Sequence, residues 1–189
     1  NTLRMKSHTL SKDEETLMSL TMDLDSTPQS IFYMFNNADI RFESITDRQG
    51  NEIGISHGRF VPLLESSDRD LRRKVFQSYY RSFDQYKNTV AAIFAANLKK
   101  ELFYTKARHY ASSMEAHLSQ NNIPTAVYDQ LIEAVHDALP EMYRYVRLRR
   151  KMLGVEELHM YDVYTPLVSG EHAIGSGKLD YLAKSVGPT

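Results

Sequence analysis

The chain has 189 residues, of which 42% are apolar and 25% charged, and its formal net charge is −1 at pH 7. This composition argues against an intrinsically disordered chain and against a general nucleic-acid binder, which normally carries a clear basic excess. The absence of cysteine excludes disulfides and thiolate metal sites, and no apolar run approaches the roughly 20 residues that a membrane-spanning helix requires.

The first predicted elements are two short helices. Ser11 and Glu14 have the spacing of a capping box, which predicts that a helix begins directly after Ser11. Thr27 followed by Pro28 predicts the start of the second helix, because proline is favoured at the first helical position.

A β-hairpin is predicted next, in the segment ADIRFESITDRQGNEIGIS. Ile40, Phe42 and Ile45 favour one side of a first strand, and Ile53 and Ile55 alternate in a second. The intervening DRQGN supplies residues that favour a turn.

The longest predicted element is a helix capped by Ser67 and running from Asp68 to about Tyr110, a stretch without proline or glycine. The alternative is a helix that is broken near Asn88 or Asn97. Apolar residues at a spacing of three and four predict a helix face that needs packing partners: Leu71, Val75, Tyr79, Phe83, Tyr86, Val90, Ile93 and Phe94.

The C-terminal third is predicted to contain a short helix, a further helix from Pro124 or Thr125, and then a strand. Pro140 either kinks the second of these helices or starts a new one, which would end at Gly154. In LHMYDVYTPLV, residues 158–168, the side chains alternate in character as they do in a buried strand. The predicted fold class is therefore mainly α: an antiparallel helical domain with a long helix, a small β-hairpin and a strand near the C-terminus.

The residues themselves predict no self-contained catalytic site. A helical zinc-peptidase motif needs two histidines four residues apart with a glutamate after the first. None of the seven histidines meets this pattern: His8, His57, His109, His117, His136, His159 and His172. The phosphate-loop and dinucleotide-binding patterns are also absent from the sequence. We therefore assign no catalytic or metal-binding residue, and the substrate-binding residues stay unknown.

Several segments, taken in order, resemble the oligoendopeptidase F-type zinc peptidases, a thimet-like oligopeptidase family. The resemblance is carried most specifically by NNADI, by LLES with the arginine-rich start of the next helix, and by LGVEELHMYDVYTPLV. It runs from about residue 7 to residue 168. It implies a helix-rich cytoplasmic enzyme that cleaves short peptides in a cleft between two helical halves.

The resemblance also implies that zinc is held by an HExxH helix and a further glutamate. This sequence contains no HExxH motif, so the chain is expected to be an internal fragment that is inactive alone and binds no zinc itself. Residues 1–168 are expected to form the helical part of the family fold and to contribute one wall of the cleft. Residues 169–189 are a tail of uncertain origin.

Two further expectations follow. The chain could instead be a non-catalytic helical module that binds peptides or proteins on the same scaffold. Apolar surface left uncovered on the long helix and on the strand 158–168 is expected to cause self-association. No membrane or nucleic-acid partner is expected.

Overall fold

The computed structural model describes residues 2–168, and the predicted tail, residues 169–189, lies outside them. Within the described part the chain is mainly helical and carries one small sheet, which confirms the predicted mainly α fold with a small β-hairpin. The α-helices are α1 (Thr2–Met5), α2 (Lys12–Leu20), α3 (Met22–Asp25), α4 (Thr27–Met34), α5 (His57–Leu64), α6 (Arg69–Asp84), α7 (Lys87–Ala107), α8 (Ser113–Ser119) and α9 (Thr125–Met152). The strands are β1 (Ile45–Thr46) and β2 (Glu52–Ile53). Short 3-10 helices span Lys6–His8 and Met160–Asp162, and a π-helical turn spans Phe35–Asp39.

The two predicted N-terminal helix starts are present. The Ser11 hydroxyl accepts from the Glu14 N–H, and the Glu14 carboxylate accepts from the Ser11 N–H at 2.8 Å, so the capping box is complete. Pro28 lies in the first turn of α4, which begins one residue earlier at Thr27. Helix α4 packs on α7, which places the N-terminal helices along α7.

The hairpin is confirmed, with strands of only two residues each. Ile45 pairs with Ile53 and Thr46 pairs with Glu52 in an antiparallel register. The Asp47 carboxylate accepts from the Gln49 and Asn51 N–H groups at 2.8 Å and holds the turn closed. Gly50 has φ +89°, a left-handed conformation that glycine adopts without steric cost.

The helix predicted from Asp68 to about Tyr110 is broken, near the first of the two positions where a break was left open. The chain forms α6 and α7, which are separated at Gln85 and Tyr86, two residues before Asn88. Tyr86 leaves the helical conformation, with φ −109° and ψ 12°, and its ring packs edge-on against Phe35 with centroids 5.1 Å apart. This contact with a residue 51 positions earlier has no signal in the local helical periodicity. The N-cap also differs from the prediction, because the Asp68 side chain, not that of Ser67, accepts from the first amides of α6.

The core lies where α5 and α6 meet the hairpin. Ile55, Leu64 and Val75 are buried at its centre. Around them pack partly buried apolar and aromatic side chains: Phe42, Ile45, Phe60, Leu63, Leu71, Phe76, Tyr79 and Tyr161. The predicted apolar stripe therefore finds its partners along α6. On α7 the stripe is less covered, and Phe94 is 63% exposed.

Helix α9 is the longest element, with 28 residues, and it continues through Pro140 without ending. Gly154 follows it with φ +64°, and its N–H donates to the Lys151 carbonyl, as predicted for the end of this helix. The helix packs against α8 near its start and holds the residues after it near its end. Most of its side chains are exposed.

The strand predicted for residues 158–168 was wrong. The segment contains the 3-10 helix Met160–Asp162 followed by turns, and within the described residues the only strand pairing is β1 with β2. The alternation of residue types was real, but a strand also requires a neighbouring strand that accepts and donates backbone hydrogen bonds. Here arginine side chains from two helices bind the backbone carbonyls instead.

Among residues 2–168, the chain forms no helix with both the length and the hydropathy needed to cross a bilayer.

Candidate functional site

The carboxylate of Asp162 accepts four hydrogen bonds, and its side chain is fully buried. Arg69 donates to it from Nε at 3.2 Å and from Nη2 at 3.0 Å, and Arg72 donates from Nη2 at 2.7 Å. The backbone N–H of His159 adds a fourth hydrogen bond at 3.0 Å. Both carboxylate oxygens are therefore satisfied, as a buried charge requires. We call Asp162, Arg69, Arg72 and Arg149 the Asp162 cluster.

The two arginines of α6 also bind backbone carbonyls of the segment after α9. Arg69 Nη2 donates to the Glu157 carbonyl at 2.7 Å, and Arg72 Nε donates to that of Tyr161 at 3.2 Å. Arg72 Nη1 reaches back to the Ser66 carbonyl at 2.7 Å, before the start of its own helix. The planar guanidinium, with five N–H donors, suits this role of joining several acceptors at once.

Arg149 supplies the third guanidinium of the cluster, from the last turn of α9. It is 7% exposed and donates to the Asp162 carbonyl from Nε at 3.2 Å and from Nη2 at 2.8 Å. Nη2 also contacts the Thr165 carbonyl. The cluster thereby joins α6 to the end of α9 and to the segment 157–165, which come much later in the sequence.

The electrostatics of the cluster keep Asp162 ionised. Burial would raise the pKa of this carboxyl, but the hydrogen bonds from Arg69, Arg72 and the His159 N–H outweigh burial and lower the pKa to about 2. The hydrogen bond to Asp162 raises the pKa of Arg69 in turn. Because both carboxylate oxygens are occupied by donors, the group can position the chain but is not available as a base or a metal ligand.

His57 and His159 are held by hydrogen bonds or ring contacts. The ring of His57 bridges two groups. Its Nδ1 lies 2.8 Å from Tyr79 Oη, and its Nε2 lies 2.8 Å from the Asn36 carbonyl oxygen. Because a carbonyl can only accept, Nε2 of His57 carries the proton and donates to Asn36. His159 stacks on Tyr161, with ring centroids 4.9 Å apart.

Two further histidines join neighbouring elements in the same way. Nδ1 of His8 donates to the Arg108 carbonyl at 2.8 Å, and the ring stacks on Tyr110 with centroids 3.7 Å apart. His117 Nε2 contacts the Glu101 carboxylate at 2.8 Å. Within residues 2–168, no three side chains of His, Cys, Asp or Glu gather closely enough to hold a metal. The donor set of the described residues therefore does not fit the zinc that the resemblance implies.

An open groove runs between α4 and α7. One section, with a volume of about 390 Å³, is lined by Pro28, Gln29, Phe32, Val90, Ile93, Phe94 and Asn97. The adjoining section, of about 440 Å³, ends at Lys100 and Tyr104. The lining is mostly apolar, with a few polar groups at the margins, a composition suited to holding side chains of an extended peptide.

Sequence reasoning missed the Asp162 cluster, although one signal was present. Arg72 lies on the same face of α6 as Val75 and Tyr79, and a charged residue on a core-facing stripe indicates a buried partner. Nothing in the local pattern identifies Asp162, 90 positions away, as that partner.

Family comparisons agree with the resemblance seen in the sequence. Residues 62–177, well over half of the chain, match the model described as Peptidase family M3. Residues 1–42 match the model described as Oligopeptidase F. The first match continues past Val168, where the resemblance carried by the quoted motifs ends.

Proteins that are similar to this chain in sequence are named oligopeptidases. The chain is 41% identical over 183 residues to Oligopeptidase PepF of Bacillus subtilis, covering 96% of this chain and 27% of that protein. It is 39% identical over 162 residues to Group B oligopeptidase PepB of Streptococcus agalactiae, covering 86% of this chain and 27% of that protein. The chain thus spans about 27% of the length of these relatives.

Among solved structures, the chain is similar to oligoendopeptidase-F from Enterococcus faecium, with a TM-score of 0.85 and 38% identity. The similarity covers 88% of this chain and 32% of that one. The sequence match over more than half of the chain and this structural likeness agree. The chain therefore belongs to peptidase family M3.

Proposed function

We propose that this chain is part of a zinc-dependent oligopeptidase that hydrolyses peptide bonds of short peptides in the cytoplasm. The observation that carries the proposal is the match of residues 62–177 to the M3 family model. The names of the similar proteins, which are oligopeptidases, support the same substrate class. Since the described residues offer no zinc site, the metal and the general base are assigned to residues outside them, and no catalytic step is assigned to this chain.

The proposed contribution of this chain is one wall of the peptide cleft. The groove between α4 and α7 supplies an open apolar surface for that wall. The Asp162 cluster has a positioning role, because it fixes the course of the chain between α9 and residue 165.

A second candidate function is favoured by the same groove. Its apolar lining is accessible in this chain as it stands, so the chain could bind peptides without cleaving them. This function would be that of a non-catalytic module on the peptidase scaffold.

Two measurements on the 189-residue chain separate these functions. Zinc content and the cleavage of an internally quenched fluorescent oligopeptide report on catalysis, and fluorescence anisotropy of a labelled peptide reports on binding. We expect no chelator-sensitive cleavage and at most weak binding. Chelator-sensitive turnover would overturn the assignment of the zinc site to other residues. Tight, saturable peptide binding without turnover would favour the second function.

A further inference from the structure

Helix α9 exposes a continuous apolar stripe that the rest of the described chain leaves uncovered. The stripe follows the three-and-four spacing of one helix face: Tyr128, Leu131, Ile132, Val135, Leu139, Met142 and Val146. Leu131, Val135 and Met142 are 60%, 53% and 57% exposed. Contacts with α8 and with the Asp162 cluster lie towards the two ends of the helix, so the middle is free among the described residues.

Charge is divided along α9 in a regular way. The acidic residues occupy the first part of the helix and the basic residues the second: Asp129, Glu133, Asp137 and Glu141, then Arg144, Arg147, Arg149, Arg150 and Lys151. At 3.6 residues per turn, Asp129 and Arg147 flank the stripe on the same side of the helix. The helix is therefore self-complementary when it is turned end to end.

We infer that α9 binds a second copy of this chain, with the two α9 helices antiparallel about a two-fold axis near residues 138 and 139. In this arrangement Asp129 lies opposite Arg147 of the second copy, and the acidic half of each helix runs along the basic half of the other. The two-fold axis places the charged flanks of both helices on the same side of the dimer, so each contact between opposite charges occurs twice.

The apolar residues match under the same operation. Leu131 lies opposite Val146 of the second copy, and Val135 lies opposite Met142. All four side chains are exposed in the single chain, so pairing removes apolar surface from water without disturbing the core.

The size of the stripe sets the strength of the interaction. A helix of 28 residues is about 42 Å long and about 10 Å wide, which offers roughly 400 Å² per copy. A standard stable interface buries about 800 Å² per partner. The dimer is therefore weak and concentration-dependent, and added salt weakens it further because the flanking charges are exposed.

Charge reversal tests the proposed pairing directly. One variant carries Asp129→Lys, and the other carries Arg147→Glu. Each variant alone places like charges opposite one another and should be monomeric in sedimentation equilibrium at concentrations where the unchanged chain dimerises. An equimolar mixture should form the heterodimer, because each contact again joins opposite charges. A mixture that stays monomeric while the unchanged chain dimerises would overturn the antiparallel pairing.

A matched pair of single variants tests the stripe itself. Val135→Asp adds a charge to the centre of the stripe, and Gln130→Asp adds the same charge on the opposite face of the same helix. We expect Val135→Asp to weaken dimerisation more than tenfold and Gln130→Asp to change it less than twofold, with equal circular dichroism spectra. Equal effects would overturn the inference, as would a chain that is monomeric at every concentration because residues 169–189 or another segment covers the stripe.

Cross-linking locates the axis. Because the chain has no cysteine, Leu139→Cys introduces a single thiol close to the two-fold axis, and Gln130→Cys introduces one on the far face. A short bis-maleimide should cross-link the first variant into a dimer and leave the second monomeric. The reverse result would contradict the proposed face.

Discussion

Replacing Asp162 by asparagine should destabilise the chain more than any substitution of an exposed carboxylate. The change keeps the shape of the side chain but removes the charge that faces Arg69 and Arg72. Arg72 is 3% exposed on its side chain and would retain a buried positive charge with only backbone carbonyls as partners. Breaking a buried ion pair from one side costs about 3–5 kcal/mol. We expect the free energy of unfolding to fall by about 3 kcal/mol, because asparagine can still accept one hydrogen bond.

The same carboxylate gives the expected loss a pH dependence. The pKa of Asp162 is lowered from 3.8 to about 2 in the folded chain. A group with a depressed folded pKa contributes stability above its unfolded pKa and loses that contribution as the pH falls towards the folded value. This contribution amounts to about 2 kcal/mol, and about 1 kcal/mol of it is lost between pH 5 and pH 3.

The assay is urea unfolding followed by circular dichroism at fixed protein concentration, from pH 5 to pH 3. Glu141→Gln is the matched control, because Glu141 pairs with Arg144 on the surface, with both side chains 71% exposed, and such pairs contribute at most about 1 kcal/mol. The difference in unfolding free energy between the unchanged chain and Asp162→Asn should shrink by about 1 kcal/mol over this range. A loss below 1 kcal/mol at pH 5, or a difference that does not change with pH, would refute the reasoning.

Three further substitutions probe the elements around this cluster. Arg149→Met should lower the free energy of unfolding by about 2 kcal/mol, because the Asp162 and Thr165 carbonyls lose their donor. Hydrogen–deuterium exchange should become faster in residues 160–165 and stay unchanged in α5. Gly154→Ala should lower the free energy of unfolding by about 1 kcal/mol in urea unfolding. The φ angle is +64° there and an added Cβ meets no atom within 4 Å, so only backbone strain contributes. A neutral result would show that the end of α9 has changed conformation. Val75→Ala should lower the free energy of unfolding by about 2 kcal/mol, because this core residue is 0% exposed. Its control is Val127→Ala, where the side chain is 50% exposed and the loss should stay below about 0.5 kcal/mol. Equal losses would place the core elsewhere.

Local signals predicted local structure well. The capping box of Ser11 and Glu14, the turn at Asp47 and Gly50 and the glycine after α9 depend on neighbours within a few residues, and the structure has them where the sequence indicated. The helical periodicity of α6 likewise identified its core-facing residues.

Failures arose where distant residues decide the conformation. The break at Tyr86 accompanies its packing on Phe35, and the segment 158–168 is held by arginines 13 to 93 positions away. Residue alternation alone predicts which side chains differ in environment, but not whether a neighbouring strand or a guanidinium satisfies the backbone. The Asp162 cluster could not be assembled from one sequence, because each of its members has many possible partners of opposite charge.

The central claim, that this chain supplies a metal-free part of an oligopeptidase, is tested most directly by a chimera. Residues 1–177, which span the two family matches, would replace the corresponding segment of the Bacillus subtilis oligopeptidase. We predict that the chimera cleaves a quenched fluorescent oligopeptide, that a chelator abolishes this cleavage and that added zinc restores it. A folded, zinc-loaded chimera that binds the peptide without cleaving it would contradict the account.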